Sequence, residues 1–424
     1  MTFTVTRSLG VMVQPSEPTP SGTLELSVID KSPSTGVSIS VLFVFKYGHE
    51  SAKVIKEALS KALVPYYPIA GRLKESSHGD LQVDCTAQGI WFIEASADCS
   101  LDSVSYFDNV LLVPKDELLP PPPPEADGMH DPFLQLQVTR FTCNGFSMGV
   151  TLSHRICDGF GYAQFISAVG EFARGVQQPK IIPVWQREAI PTPPWMVHLA
   201  DILANLPPPT TSPTPYEQLQ HAYIDISPEQ INKLKNEFLE LTGDFCSTLE
   251  VVIASIWRYR TRAIGFEKDT TVTLALGANT RQFLDPPLPE GFYGNCFFPV
   301  VVTATSEWLA EASNAEVVKL IKDAKARLPT EFKKWLKSEQ FDDSFAYTLN
   351  YTTLLITAWA KIGLNMMDCG WGPPVHVLPV DGFNFLPVVV VGFPPAPKQG
   401  IRLTTWSVIK PHLPSLLSYF SSNE

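Results

Sequence analysis

Ser153-His154-Arg155-Ile156-Cys157-Asp158-Gly159 lies between two segments of different periodicity. Upstream, Phe146, Met148, Val150 and Leu152 alternate with Ser147, Gly149, Thr151 and Ser153, the period of a strand. The run from Leu134 to Leu152 contains Asn144-Gly145, a hairpin signal, so two paired strands are expected there. Downstream, Phe160, Phe165, Ile166, Val169 and Phe172 fall at helical spacing that stops at Gly175. A histidine placed where a strand gives way to a helix can expose its imidazole to a cleft while its flanks stay packed. Imidazole titrates near neutral pH, so it can take and return a proton within one cycle. His154 is therefore the first candidate for a catalytic residue.

Both halves of the chain mix helices and strands. Before His154, residues 51–64 have helical spacing up to the breaker Pro65, and 38–47, 80–83 and 90–94 read as strands. Beyond position 220, residues 228–239, 246–264, 313–327 and 332–338 read as helices; 270–276, 296–303, 375–380 and 385–392 read as strands. Prolines cluster at 120–124 and again from Pro191 to Pro215, as Pro191-Thr192-Pro193-Pro194, Pro207-Pro208-Pro209 and Pro213-Thr214-Pro215. Such clusters do not fit helix interiors or central strands. The expected organisation is two α/β domains, 1–189 and 218–424, joined by a proline-rich crossover at 190–217.

With 424 residues, 45% apolar and only 18% charged, the chain can bury more than one core. Its net charge of −11 disfavours nucleic acid and anionic membrane, whose phosphates it repels on average. The seven cysteines are scattered without a CxxC pair, which fits a reducing compartment. Met1 to Val5 lacks a signal-peptide layout, no apolar run approaches ~20 residues, and Ser421-Ser422-Asn423-Glu424 is no retention or peroxisomal address. A cytoplasmic monomer that binds neither nucleic acid nor membrane is expected.

His154 and Asp158 stand four apart, which suits either an Asp–His pair or two metal ligands. No other histidine forms a motif with them, so no metal is expected. Gly145-Phe146-Ser147-Met148-Gly149 matches a hydrolase nucleophile motif, but that motif needs a sharp turn at the serine, and the alternation runs through it unbroken. Asp368-Cys369-Gly370-Trp371-Gly372-Pro373 reads as a tight glycine turn plugged by Trp371. Two further turns, Tyr67-Pro68-Ile69-Ala70-Gly71-Arg72 and Tyr293-Gly294-Asn295-Cys296, suggest packing roles; Arg281 is either exposed or a carboxylate's partner.

In this order along the chain, the Tyr67–Arg72 segment, HxxxDG at 154–159, the Tyr293–Cys296 segment and DxGWG at 368–372 resemble the plant BAHD acyl-CoA-dependent acyltransferases. The resemblance covers nearly the whole chain. It implies two chloramphenicol-acetyltransferase-like domains with a channel between them and His154 at its centre. It implies no resident cofactor: acyl-CoA is a co-substrate, and a small alcohol or amine is the acceptor. His154 would be the general base, and the Trp371 indole a candidate oxyanion donor. Asp158 would pair with Arg281 and fix the loop, Gly159 would leave room beside the histidine, and Asp368, Gly370 and Gly372 would be structural. Ser247 and Thr248 at a helix start, with Lys233 and Lys235, would hold the CoA phosphates.

Within that family, the stretch from Leu26-Ser27-Val28-Ile29-Asp30 to Val184-Trp185-Gln186-Arg187-Glu188 is most similar to alcohol-acylating members, among them taxane, benzyl-alcohol and monolignol acyltransferases. Ser27 and Lys361 become acceptor-pocket candidates. Relatives that grip shikimate or quinate carry arginine where this chain has Lys361, and lysine lacks the bidentate fork that suits a carboxylate. The expected reaction moves a hydroxycinnamoyl or benzoyl group to an alcohol such as a monolignol or benzyl alcohol. Acetyl transfer to a specialised-metabolite hydroxyl or amine, a thioesterase and a non-catalytic ligand-binding homologue are the alternatives.

Overall fold

The computed structural model describes residues 3–109, 113–124, 126, 128, 130–198, 216–339, 350–381 and 386–421. Among these residues, nine strands precede the crossover: β1 Val5–Arg7, β2 Val11–Val13, β3 Thr23–Glu25, β4 Ser38–Phe45, β5 Arg72–Glu75, β6 Leu81–Asp84, β7 Ile90–Ala97, β8 Leu134–Arg140 and β9 Phe146–Ser153. Seven follow it: β10 Leu219–Ile226, β11 Thr271–Asn279, β12 Phe297–Thr305, β13 Thr353–Ala358, β14 His376–Pro379, β15 Val388–Gly392 and β16 Ile401–Ile409. The proline clusters at 207–209 and 213–215, and Phe385, lie outside the described residues.

The strands form two large mixed sheets and one small one. The first runs β1-β7-β8-β9-β4-β14, with β2 also on β7; the second runs β10-β16-β15-β13-β11-β12; the third is β3-β6-β5. β14 comes from the second half of the chain yet pairs antiparallel with β4, His376 opposite Val44. A division at 190–217 therefore separates the two large sheets except for this one strand, which crosses back.

The β8–β9 hairpin forms as its sequence dictates, with Asn144 in the left-handed region at φ 64°. Ser147 is a fully buried residue inside the unbroken β9, not a nucleophile on an elbow. Helices Ser51–Ala62 and Gly159–Ala173 cover the first sheet and share its core with Phe43, Phe92, Leu136 and Met148. Helices Thr248–Ile264 and Asn314–Lys337 do the same for the second sheet, around Trp257, Leu274, Val300 and Phe332. Ser227, Ser247 and Ser313 each close a capping box at a helix start.

Two expectations change. The segments 313–327 and 332–338 are one continuous helix, Asn314–Lys337, with Pro329 inside it. An interior proline costs about 3 kcal/mol, but this helix buries Ile321, Leu328 and Phe332 on one face, and that packing outweighs the missing hydrogen bond. β1, β2, β3, β5, β10, β13 and β16 are strands that the sequence pattern does not mark. No helix among the described residues is long and apolar enough to cross a membrane. Among the same residues no group of three or more His, Cys, Asp or Glu could hold a metal ion.

Candidate active site

β9 ends at Ser153, and the helix Gly159–Ala173 starts five residues past His154, so the histidine sits on a short strand-to-helix loop. The His154 main-chain N–H donates to the Val37 carbonyl at 2.9 Å, which ties the loop to the segment entering β4. The imidazole is half-buried and meets Phe297, the first residue of β12, edge-on at 5.8 Å between ring centroids. Its Nδ1 is enclosed and makes no hydrogen bond to a described residue. His154 thus stands where the first sheet's β9 meets the second sheet's β12.

Asp158 caps the helix, accepting the Gly161 N–H at 3.0 Å. Both its carboxylate oxygens face Arg281, at 2.9 Å from Nη1 and 2.8 Å from Nη2, and the Cys296 N–H donates to Oδ2 at 3.1 Å. Burial pushes the Asp158 carboxyl pKa up, but the Arg281 charge and these donors outweigh it and leave the group below the usual carboxylate range. Arg281 shifts to match: burial lowers its pKa, and Asp158 more than restores it. Arg281 also donates to the Gly294 carbonyl at 2.6 Å.

A second buried pair lies beneath the same loop. Arg187 Nε stands 3.0 Å from Asp30 Oδ2, with side chains 1% and 0% exposed. The Arg187 guanidinium donates through Nη2 to the Ile156 carbonyl at 2.7 Å and lies against the rings of Trp185, Phe292 and Tyr293. Ser27, put forward for the acceptor pocket, is buried and gives its hydroxyl to Asp30 Oδ2 at 2.8 Å. Asn295 joins this pair through its side-chain amide, which donates to Asp30 Oδ1 at 2.7 Å, so Asp30, Arg187 and Asn295 meet here. Nothing local marks them as partners, because they come from three distant segments.

Tyr293-Gly294-Asn295-Cys296 joins the two pairs. Gly294 is required there: a Cβ would fall 1.9 Å from Arg187 Nη1 and 2.2 Å from its Cζ. The guanidinium cannot step aside, since Asp30, the Ile156 carbonyl and three rings hold it. Gly294→Ala is expected to destabilise the fold by about 1–3 kcal/mol, the usual range for overpacking. A denaturation midpoint equal to that of the unchanged protein would contradict this packing.

At Gly159 a Cβ would approach Ile362 Cδ1 to 2.9 Å, so the space beside the histidine loop is bounded by Ile362. Lys361, its neighbour, is exposed at the end of the turn Trp359–Lys361 after β13.

The glycine-rich turn lies elsewhere. Asp368 Oδ1 accepts the N–H groups of Gly370 at 2.7 Å and Gly372 at 2.9 Å, and both glycines have positive φ. Its main chain packs on Gly170, where a Cβ would meet the Asp368 carbonyl at 2.6 Å, near the far end of the helix from His154. Trp371 packs edge-on against Phe146, 5.6 Å between centroids. Phe146 opens the eight-residue β9 and His154 follows its last residue, so about 26 Å separates them at ~3.3 Å per residue. The oxyanion role expected for Trp371 is therefore corrected: its indole is too distant to donate to an intermediate formed at His154. Trp371→Phe is expected to leave turnover per folded molecule within about threefold, which a rate assay on the purified variant checks.

Ser247 caps Thr248–Ile264 in a reciprocal box with Glu250, at 2.7 and 3.2 Å. The Glu250 carboxyl is raised by burial and lowered further by Lys325 and Ser247, ending below its usual range. This helix start thus already carries a carboxylate. Lysines gather around it: Lys325 pairs with Glu250, and Lys322 reaches Asp244 at 2.5 Å. The charges of Lys235 and Lys322 also oppose the burial that raises the neighbouring Cys246 thiol. Lys233 is exposed on the helix Pro228–Thr242. Lys322 and Lys325 belong to no binding motif in the sequence; their spacing puts them one helical turn apart on one face.

Residues 3–403 match the model of the Transferase family. The chain belongs to this family, the BAHD acyltransferases. It is 41% identical to Acyl transferase 4 of Oryza sativa subsp. japonica, over 98% of each chain. It is 38% identical to myricetin 3-O-glucosyl 1,2-rhamnoside 6'-O-caffeoyltransferase AT2 of Crocosmia x crocosmiiflora, over 97% of this chain and 98% of that one. Among solved structures, vinorine synthase superposes with a TM-score of 0.73 over 99% of this chain and 100% of that one, at 20% identity. This likeness shows the two-domain chloramphenicol-acetyltransferase-like fold. BAHD enzymes take the acyl group from a CoA thioester, so acyl-CoA is a co-substrate here rather than a resident cofactor.

Proposed function

We propose that this BAHD acyltransferase moves a hydroxycinnamoyl or benzoyl group from CoA to the hydroxyl of an uncharged alcohol, with a monolignol or benzyl alcohol as the type of acceptor. The observation that carries the reading is a half-exposed imidazole on a loop fixed by two buried ion pairs, where the two large sheets meet. With Nδ1 enclosed, Nε2 is the nitrogen that takes the acceptor's proton. The freed oxygen attacks the thioester carbonyl, and a new C–O bond forms. The tetrahedral intermediate then breaks its C–S bond, and the imidazolium returns the proton to the departing thiolate of CoA.

CoA would enter a channel between units 1–189 and 218–424, its phosphates reaching Ser247, Thr248, Lys233 and Lys235. The alcohol would approach from the opposite face, near Ile362 and Lys361. A relative named a caffeoyltransferase supports the hydroxycinnamoyl donor. The acceptor in that relative's name is a glycoside, whose hydroxyl is also an uncharged alcohol.

Coumaroyl-, caffeoyl-, benzoyl- and acetyl-CoA crossed with coniferyl, benzyl and aliphatic alcohols, read by free thiol and product mass, tests this reading. Aromatic esters that form only when an alcohol is present are expected. Preference for acetyl-CoA would overturn the donor assignment, and thiol release without acceptor would make the protein a thioesterase. No release with any pair would make it a binding protein.

A further inference from the structure

We infer that Asn295 is a positioning residue for His154, acting through the histidine's own main-chain carbonyl, with Asp30 and Arg187 as its supports; this rests on His154 being the base. The Asn295 Nδ2 group donates to the His154 carbonyl at 2.8 Å and to Asp30 Oδ1 at 2.7 Å, so both its protons are spoken for. Asp30 Oδ1 also accepts the Asn295 main-chain N–H at 3.2 Å, which grips the residue at backbone and side chain together. The same carboxylate neutralises Arg187, which holds the Ile156 carbonyl two residues beyond the histidine. Arg155 adds a bond to the Asp30 carbonyl at 3.2 Å.

The consequence lies in how few contacts the imidazole makes. Among the described residues it meets one ring, Phe297, and its Nδ1 makes no hydrogen bond. Its placement is therefore set by the peptide that carries it, and Asn295 is the side chain that holds the carbonyl of that peptide. Asp158 and Arg281 fix the loop four residues further on, where the helix begins. Without Asn295 the Cα of His154 can rotate while Asp158 stays in place. A misplacement of about 1 Å can by itself cost about a hundredfold in rate.

Three variants separate positioning from general stability: Asn295→Ala, the milder Asn295→Ser, and Val83→Ala as a control. Val83 is buried in the small sheet, opposite Leu73 and Leu24, and is none of the residues that bond the histidine loop. Asn295→Ala is expected to lower kcat about 10- to 100-fold with KM for acyl-CoA and alcohol within about threefold, assayed well below its melting midpoint. Val83→Ala at a matched margin below its own midpoint should keep kcat within about threefold. Asn295→Ser leaves the Asp30–Arg187 pair intact and keeps one hydroxyl donor, which the Asp30 carboxylate takes as the stronger acceptor, leaving none for the His154 carbonyl. It should be more stable than Asn295→Ala yet remain slow, and it serves also if Asn295→Ala does not fold. Near-normal kcat in either Asn295 variant, a rise in KM alone, or an equal loss in Val83→Ala would overturn the inference. His154→Ala run alongside distinguishes the two failures: if that variant stays active, the base assignment fails as well.

Discussion

His154→Ala is expected to lower acceptor-dependent thiol release by at least about 10²–10⁴-fold, the usual worth of a positioned general base. Its folding should change little. The imidazole is half-buried, makes one edge-on contact with Phe297 and bonds no described residue through Nδ1. The loop itself is held at other atoms: the 154 carbonyl by Asn295, the 156 carbonyl by Arg187 and the 158 side chain by Arg281. Loss of rate with an unchanged melting midpoint is thus the signature of a chemical role. His154→Gln sharpens the measurement, because glutamine keeps polarity and bulk yet cannot take a proton at neutral pH. Turnover like that of the unchanged protein in either folded variant would remove His154 from the mechanism and leave family membership untouched.

Much of the setting of this residue is written locally. Alternation through Phe146–Ser153 and helical spacing from Phe160 to Phe172 give the strand, the loop and the helix, because periodicity depends only on neighbours. The helix starts at Ser227, Ser247 and Ser313 are equally legible, since each serine and the Gln or Glu three residues on satisfy each other. What stays hidden is set by topology. Arg402 lies on β16 and is 3% exposed; nothing nearby in sequence says that Asp225 of β10 and Asp108 will neutralise it. A segment carrying Arg402, Thr404 and Thr405 on buried positions does not read as a strand until those partners are known. The return of β14 to the first sheet is non-local in the same way. So is the meeting of Asp30, Arg187 and Asn295, one from before β4, one from just ahead of the crossover and one from the turn before β12. Trp371 failed for a related reason: a motif gives the order of residues along the chain, and only the length of β9 shows how far its indole lies from the histidine.

Asp158→Asn is expected to cost about 3–5 kcal/mol of stability, the range for breaking a buried ion pair on one side. The Arg281 guanidinium would remain enclosed, with only carbonyls and an amide to face. Asparagine also surrenders one of the two acceptors that Arg281 grips at 2.8 and 2.9 Å, and either the cap on Gly161 or the bond from Cys296 must weaken with it. Activity should fall as well, since the same carboxylate ends the loop that carries His154. Arg281→Met is expected to be similarly costly at neutral pH, where it strands a buried carboxylate. The double variant Asp158→Asn with Arg281→Met should be less unstable than the sum of the two, as expected when the penalty of each single change is mostly the orphaned partner. The pH dependence has a definite sign. Because Asp158 is held below the ordinary carboxylate range in the folded protein, its contribution is fully present above the unfolded value of about 4 and is lost as pH falls through the lower folded value. Denaturant midpoints taken from neutral pH down to about pH 3 should therefore converge between Asp158→Asn and the unchanged protein as the pair protonates. If the two curves stay parallel over that range, the Asp158–Arg281 charge pair is not what stabilises the loop.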